Sequence, residues 1–543
     1  MDNNTKKPQS VLHDGWDEYK NRRIYKPRGK IGLWRSIGYS SFYFYQTAIW
    51  TVTAYLAFFY TQFCGISPTG TAVIMVSGRI ISTLMSLVIG KFSDSLYKYR
   101  IGRKYGRRHI FMLGTILYVL ICPPLLWITG LNFWYYLLTH SVLLMFLATL
   151  NLPWYGLPNE MTDSFDKRTY MGTVRGVFGA VVGSGAALIM GEILNSYKQN
   201  DPHVYLVAQI FFSVIAVFFI LITYFTTWEH FVTKDEAKRA ETLIEKEDEA
   251  DAAAHGDTNP TVAGKSPKTK KKFSHLMRDY LSTFKIKTFR KHFIYSTCET
   301  AGGNLAAVAM TYFIVSVLGL NASVLSFLNS YSIFAGIFIM LIAGYVIHKA
   351  APKWVYAFTY MMCLVAAVGL GALGIIRPAD ATILLFVIQG FSVVGGQLYG
   401  FIPWTVFPSI PDLDTLLTGQ ERSGLFASVT GFGTELATAL TNLIGNMLLQ
   451  VSGFVSSTTG TANQPESAKL MIIGLVSVGP AIFFIIALYA GVTFKLDKKR
   501  TDMVTAELAR LKSGGKKADA TPEIKKVTKE LTGKNYDDIK VWN

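Results

Sequence analysis

Charge is scarce in this chain and cysteine is scarcer. Only 16% of the 543 residues are charged, and the four cysteines (Cys64, Cys122, Cys298 and Cys363) are scattered without CxxC spacing. That dispersion excludes a disulfide framework and a thiolate metal centre, leaving the four as small apolar fillers. The chain shows no Walker-type phosphate loop, no metal-ligand cluster and no nucleophile spaced to meet a base. It is therefore expected to be no enzyme, to need no cofactor or metal, and not to be an ATP-driven pump. Roughly the first thirty residues are polar, so no cleavable signal peptide is expected.

Apolar residues are abundant. They make up half the chain, 14% is aromatic, and the mean hydropathy is +0.30. They fall into twelve long stretches. Six lie at 37–62, 70–90, 110–130, 133–157, 172–196 and 204–227, and six at 292–318, 323–347, 353–376, 380–407, 424–451 and 469–494. Each is about twenty residues or more, enough to cross a ~30 Å hydrocarbon layer at 1.5 Å per residue. The expected fold is an all-α membrane protein with twelve transmembrane helices in two six-helix halves, the plan of a carrier that rocks about a central site. The segments divide as an N-terminal tail (1–36), the first half (37–228), a linker (229–291), the second half (292–495) and a C-terminal tail (496–543).

The net charge of +17 would point to nucleic acid in a soluble protein. Here the placement of the 53 Lys and Arg is topological. Only Lys198, Arg377 and Lys469 fall in loops on the far side from the termini. That positive-inside pattern predicts a multi-pass plasma-membrane protein with both termini cytoplasmic, a lipid bilayer as its surroundings and no nucleic-acid partner. The linker runs from acidic (Glu241 to Asp251) to basic (Lys268 to Lys272), cannot bury a core, and is expected to be partly disordered. The charged tail after Lys495 is read as a surface helix pair or disorder.

Charges inside hydrocarbon are expensive and therefore candidates for function. Four stand out: Arg79 in span two, Arg175 in span five, Glu299 in span seven and Glu435 in span eleven. Two cations in one half and two acids in the other would offset one another if they met across the centre. Span one reads Tyr39-Ser-Ser-Phe-Tyr-Phe-Tyr-Gln-Thr-Ala-Ile-Trp50, and span four ends Asn151-Leu-Pro-Trp-Tyr155. Rings beside amides and hydroxyls suit a sugar, whose C–H faces stack and whose hydroxyls need partners. Gly90-Lys-Phe-Ser-Asp94 followed by Arg103-Lys-Tyr-Gly-Arg107-Arg108 is a gate-like charge arrangement. It resembles the loop signature of the major facilitator superfamily.

Asp412 to Gly424, including Gly419 and Arg422, resembles the loop 10–11 pattern of the glycoside–pentoside–hexuronide:cation symporters, the melibiose-permease family. Asn151-Leu-Pro-Trp-Tyr155, Asp166-Lys-Arg, Arg175 and Asn304 fall where that family has comparable residues. The resemblance covers roughly residues 35–495 without the linker, and it implies a sugar symporter. It also shows departures. The two cation-site aspartates of span two correspond to Ser82 and Ser86, the sugar-binding aspartate of span one to Gln46, that of span four to Asn151, and the lysine of span eleven to Glu435. Neutral Ser, Gln and Asn can hold sugar hydroxyls but are poor substitutes for carboxylates around a hard cation.

The resulting expectation is a secondary transporter of a glycoside or short oligosaccharide, working by alternating access and coupled to H⁺ or uncoupled rather than driven by sodium. Gln46, Asn151, Tyr155, Arg175, Asn304 and Trp404 are the expected substrate contacts. Glu435, Glu299 and Arg79 are the expected coupling residues, with Glu435 the favoured proton carrier as the deeper acid. Asp94, Arg107 and Arg108 are assigned to a cytoplasmic gate. A carrier of an acidic sugar, a lipid or amphiphile carrier, and a non-transporting sensor remain open alternatives.

Overall fold

The computed structural model describes residues 16–27, 31–162, 165–197, 201–234, 280–349, 352–419, 423–539 and 541–542. Residues 235–279 of the linker, including the stretch expected to be disordered, lie outside these residues. The described chain is helical, with one isolated β-bridge between Tyr25 and Glu229. Span one is three consecutive helical segments, Leu33–Ser40, Tyr43–Thr53 and Leu56–Gln62. The other spans of the first half are Pro68–Ser95, His109–Leu125, Phe133–Tyr155, Phe165–Ser196 and His203–Thr226. The second half comprises Lys287–Tyr312 with a π-helical end Phe313–Val317, Ser323–Lys349, Pro352–Ile376, Ala381–Val406, Ser423–Val451, and the pair Glu466–Val476 and Val478–Val492. An even number of crossings puts both termini on one face, called here the terminal face; the opposite one is the distal face.

Seven of these helices are long and apolar enough to cross a bilayer by composition alone. The remaining five have local reasons for a weaker signal. Span one is interrupted, span three has only 17 residues with Pro123 and Pro124 inside, span eight counts as the shorter stretch Ser323–Ile339, and spans two and eleven carry Arg79 and Glu435. Span starts follow ordinary capping rules. Ser67 Oγ accepts from Gly70 N at 3.1 Å, with Pro68 as the first helical residue, and Asn132 Oδ1 accepts from Tyr135 N at 3.0 Å. Each satisfies a backbone donor that the helix start leaves free.

Packing differs between the two faces. One continuous hydrophobic core joins the whole first half to the distal part of the second, through residues such as Tyr312, Phe313, Leu325, Leu328 and Phe454. The terminal part of the second half has a separate core around Phe289, Tyr295, Tyr356 and Phe426. The C-terminal tail belongs to that second core. It forms two helices, Lys498–Lys512 and Pro522–Thr532, which bury Val504, Leu508, Leu511, Ile524, Val527 and Leu531. Thr288 Oγ1 donates to Leu531 O at 2.6 Å and Trp542 Nε1 to Leu416 O at 2.8 Å. The tail is thus the helix pair that was one of its two expected states, and it is docked on its own half rather than merely lying at the surface.

On the terminal face of the first half, Glu229 is fully buried and closes the start of span three. Its carboxylate accepts from Arg107 N (2.8 Å), Arg108 N (3.0 Å), His109 N (2.8 Å) and His109 Nδ1 (2.6 Å). A carboxylate at a helix N-terminus meets free N–H groups and the positive end of the dipole. Gly106 makes this approach possible: its φ is +84°, and a Cβ there would lie 2.4 Å from Glu229 Oε1. Burial alone would raise the Glu229 pKa, but the His109 ring and the backbone donors outweigh it and hold the group below its usual range. The stabilisation is therefore complete above the ordinary carboxylate pKa of 4.5 and is lost as pH falls through the lowered folded value. Glu229→Ala should cost about 3 kcal/mol by stranding these donors. Thermal unfolding of the detergent-solubilised variant checks this, and the deficit relative to wild type should shrink on acidification.

Candidate functional site

The aromatic run of span one folds onto the end of span four. The Trp154 ring stacks on Tyr39 at 5.1 Å between centroids and lies 5.1 Å from Phe42 and 6.1 Å from Tyr43. Its Nε1 donates to Tyr39 O at 3.1 Å. Tyr45 donates to Asn151 Oδ1 through a short hydrogen bond. Asn151 is therefore buried against span one. Span five approaches this layer closely, because a Cβ at Gly179 would come within 2.6 Å of the Tyr43 ring. One turn away, the Arg175 guanidinium sits over Trp154 at 5.6 Å and over the half-exposed Tyr155 at 5.2 Å. Such cation–π contacts hold a guanidinium in place through its face, and Arg175 also interacts with the Tyr39 hydroxyl. Arg175 has no ion-pair partner among the described residues. Gln46, one turn beyond Tyr43, is partly buried and its Oε1 has no partner among the described residues.

The two halves meet in charge at Arg79 and Glu435. Arg79 Nη1 lies 3.2 Å from Glu435 Oε2, with the side chains 32% and 56% exposed. Both residues are about 16–18 Å from the start of their helices at 1.5 Å per residue, roughly halfway across. Exposure at that depth keeps the pair breakable, since solvated ion pairs contribute only about 0–1 kcal/mol. Glu299 is the more buried of the two acids. It accepts from Tyr360 OH at 3.0 Å within its own half and meets neither arginine. Asn304 Nδ2 donates to Thr300 O (2.8 Å) and Thr438 Oγ1 (3.1 Å), tying span seven to span eleven. Ser82 is partly buried on span two. The side chains of Ser86, Asp94 and Trp404 lie outside the described residues.

Arg107 and Arg108 both converge on buried Glu160 in the loop after span four, at 2.6 Å and 3.0 Å. They brace the terminal face of one half. The distal face carries the cross-half bonds. The loop between spans eleven and twelve lies along the end of span one, with Ser457 N donating to Thr61 O (2.8 Å), Gly65 N to Ser457 O (2.9 Å) and Gly460 N to Gln62 O (3.0 Å). Gln62 adds side-chain bonds, its Oε1 accepting from Ala462 N at 2.9 Å and its Nε2 donating to Val455 O at 3.4 Å. Nearby, Tyr55 bonds Ser326 (2.7 Å), Thr61 bonds Tyr312 (3.0 Å) and Ser184 Oγ donates to Ser330 O (2.7 Å).

Sequence reasoning missed Glu229, Glu160, Gln62 and His140. The first two are acids beside a basic loop, so their signal was present and was read as topology alone. Gln62 is a neutral amide at a span end, with nothing to mark it. His140, buried in span four against Gly78, has no partner for its Nδ1 among the described residues; a histidine in an apolar span is a visible signal.

Twelve spans in two halves, sealed on one face and joined at mid-depth by a breakable ion pair, define a membrane transporter of the major facilitator fold. The chain belongs to the MFS/sugar transport protein family, whose profile matches residues 43–246 and 254–498. It is 22% identical to the uncharacterized symporter sll1374 of Synechocystis, over 82% of this chain and 90% of that one. It is 20% identical to the uncharacterized symporter YjmB of Bacillus subtilis, over 84% and 90%. Among solved structures it resembles a bacterial homologue of the human lysosomal transporter Spinster in an inward-facing, unoccupied conformation (TM-score 0.58, 13% identity, 86% and 100% covered). It also resembles the nucleoside transporter NupG (TM-score 0.52, 13% identity, 83% and 98% covered) and the E. coli xylose transporter XylE in a partially occluded inward-open conformation (TM-score 0.50, 11% identity, 86% and 97% covered). These likenesses establish the fold.

The distal contacts make a specific demand on Gln62. Gln62→Ala removes two side-chain hydrogen bonds worth about 1 kcal/mol each, shifting the equilibrium toward distal opening by roughly 10- to 30-fold. A cysteine introduced at Ser326 should then react faster with an impermeant maleimide applied to the distal face. An unchanged rate would mean that the loop does not hold this face shut.

Proposed function

We propose that the protein carries a glycoside or short oligosaccharide across the plasma membrane by alternating access, with both termini in the cytoplasm. The observation that carries this reading is the Arg175 guanidinium held on the rings of Trp154 and Tyr155. A sugar needs a stacking face and donors aimed at its hydroxyls; the half-exposed Tyr155 ring is the candidate for the first and the Arg175 guanidinium for the second. Gln46 adds an acceptor that lacks a partner among the described residues. Leaving such a group unmet costs about 1–3 kcal/mol, which a substrate hydroxyl would relieve. Asn304 and Thr438 line the seam between spans seven and eleven and are the candidates in the other half. With the distal face closed, the conformation is inward-facing.

Coupling, on this reading, runs through Glu435 and Arg79 and uses a proton. Ser82 supplies no carboxylate to draw a hard cation from water, so sodium is disfavoured. In proteoliposomes, Glu435→Gln should keep sugar counterflow and lose accumulation driven by an imposed proton gradient. Full accumulation by that variant would defeat the assignment, and the same gradient-free rate in wild type with and without the gradient would indicate a facilitator.

A second reading, a carrier of hexuronides, is favoured by one observation: among the described residues Arg175 has no carboxylate partner while Arg79 has one. An acidic sugar would engage the planar guanidinium bidentately. Arg175→Lys keeps the charge but loses the planar, stacked fork. It should weaken binding of a neutral glycoside by about tenfold, the value of one lost hydrogen-bonding arrangement of ~1.4 kcal/mol. Uptake of matched glucosides and glucuronides by wild type and variant separates the two readings. A glucuronide preference of wild type that collapses in the variant would select the acidic substrate.

A further inference from the structure

On the terminal face of the first half, away from the transport path, a cavity of about 330 Å³ is bounded by Arg22, Arg23, Lys26 and Lys104 together with Tyr105, Tyr224 and Phe225. We propose that it binds a phosphate-bearing anion. The four cations come from two segments remote in sequence, and none of them forms an ion pair among the described residues. They are nevertheless held in place. Arg23 lies over the Phe225 ring at 5.0 Å, Lys26 over Trp228 at 5.6 Å, Lys104 over Tyr105 at 5.1 Å and Arg22 over Tyr19 at 4.9 Å. Arg22 Nη1 also donates to Lys104 O at 3.1 Å. Backbone bonds fix the segment itself, with Glu229 N donating to Ile24 O (2.8 Å) and Lys26 N to Glu229 O (3.0 Å).

Four like charges facing one cavity repel one another, and an anion with several acceptor oxygens relieves that repulsion. The volume is at the lower end of small-molecule sites, about 300–1,000 Å³, and so exceeds the needs of a lone phosphate. The aromatic wall would take an apolar or ring portion. The site lies at the end of span six, where Phe225 is half-exposed, next to Trp228. Aromatic residues gather at this depth in membranes, so a lipid headgroup and a soluble phosphate ester share access to it. Either would bind the N-terminal segment to the loop before span three, whose backbone Glu229 caps.

The test uses the purified full chain in nanodiscs. One arm compares phosphatidylcholine with phosphatidylcholine containing phosphatidylglycerol; the other titrates pyrophosphate into phosphatidylcholine discs. The readout is the unfolding midpoint. Wild type should be stabilised in at least one arm, the first indicating a lipid headgroup and the second a soluble phosphate. Arg23→Gln/Lys26→Gln, whose replaced side chains make ring contacts but no hydrogen bonds, should lose that response or need about tenfold more ligand, as removal of charge-assisted contacts predicts. Lys495→Gln/Lys499→Gln, on the same face of the other half, should respond as wild type. No stabilisation of wild type in either arm, or an undiminished response in the Arg23/Lys26 variant, overturns the proposal. So would an equal loss in the Lys495/Lys499 variant, which would make the effect one of general surface charge.

Discussion

A charge placed between two helix bundles at mid-membrane must be neutralised, and Arg79 is neutralised by Glu435 from the opposite bundle. The rest of the architecture is arranged around that constraint. A fully desolvated pair would lock the halves together, because separating it would strand two ions in a low-dielectric medium. The pair is instead open to solvent on both members, and so holds register without preventing motion. Packing shows the same asymmetry. The halves share a core on the distal side of the pair and keep separate cores on the terminal side. A rocking motion about this level would exchange distal contacts for terminal ones while leaving each bundle intact.

The two bundles are built differently. In the first half, the large rings of Tyr39, Phe42, Tyr45 and Trp154 are fully buried and interlocked. Aromatic contacts of this kind add rigidity beyond their buried area. They give Arg175 a fixed platform, although span one itself is broken into three segments. On the terminal face the first half is braced further by Glu160 and Glu229, each collecting several donors. The second half has its own buried aromatic cluster around Phe289, Tyr295, Tyr356 and Phe426, a polar seam of Asn304 with Thr438, and the docked C-terminal helices beneath it. Its terminal core is thus completed by residues from outside the transmembrane spans.

How much of this was legible in the sequence depends on what kind of group carried the signal. Span number and order could be read because crossing hydrocarbon requires a fixed length of apolar helix. The Arg79–Glu435 meeting was legible as one of several pairings, since buried charges of opposite sign seek each other. Which acid would pair was not. Glu299, the more buried acid, found a neutral tyrosine, Tyr360, and a tyrosine in an aromatic-rich chain carries no mark of such a role. The distal closure was unreadable because it is made by backbone groups and by Gln62, whose composition is that of any loop. The C-terminal tail was legible as a helix pair or disorder, but not its docking, because its apolar residues are spaced for one face among many lysines and glutamates.

The departures from the melibiose-permease pattern form a connected set. In that pattern, an arginine in span two has aspartates on its own helix; here those positions are Ser82 and Ser86. Removing the local acids leaves the Arg79 charge without compensation inside the membrane. Replacing the span-eleven lysine by Glu435 restores neutrality and also relieves a repulsion that the lysine would have imposed. The compensation now comes from the other half, so the electrostatic state of the centre depends on how the halves are oriented. Any conformation that parts Arg79 from Glu435 leaves the carboxylate without its cation, and the proposed coupling has a proton take that cation's place. Under the proposed coupling, the proton then enters with the conformational change itself, and a separate ion-binding cage becomes unnecessary.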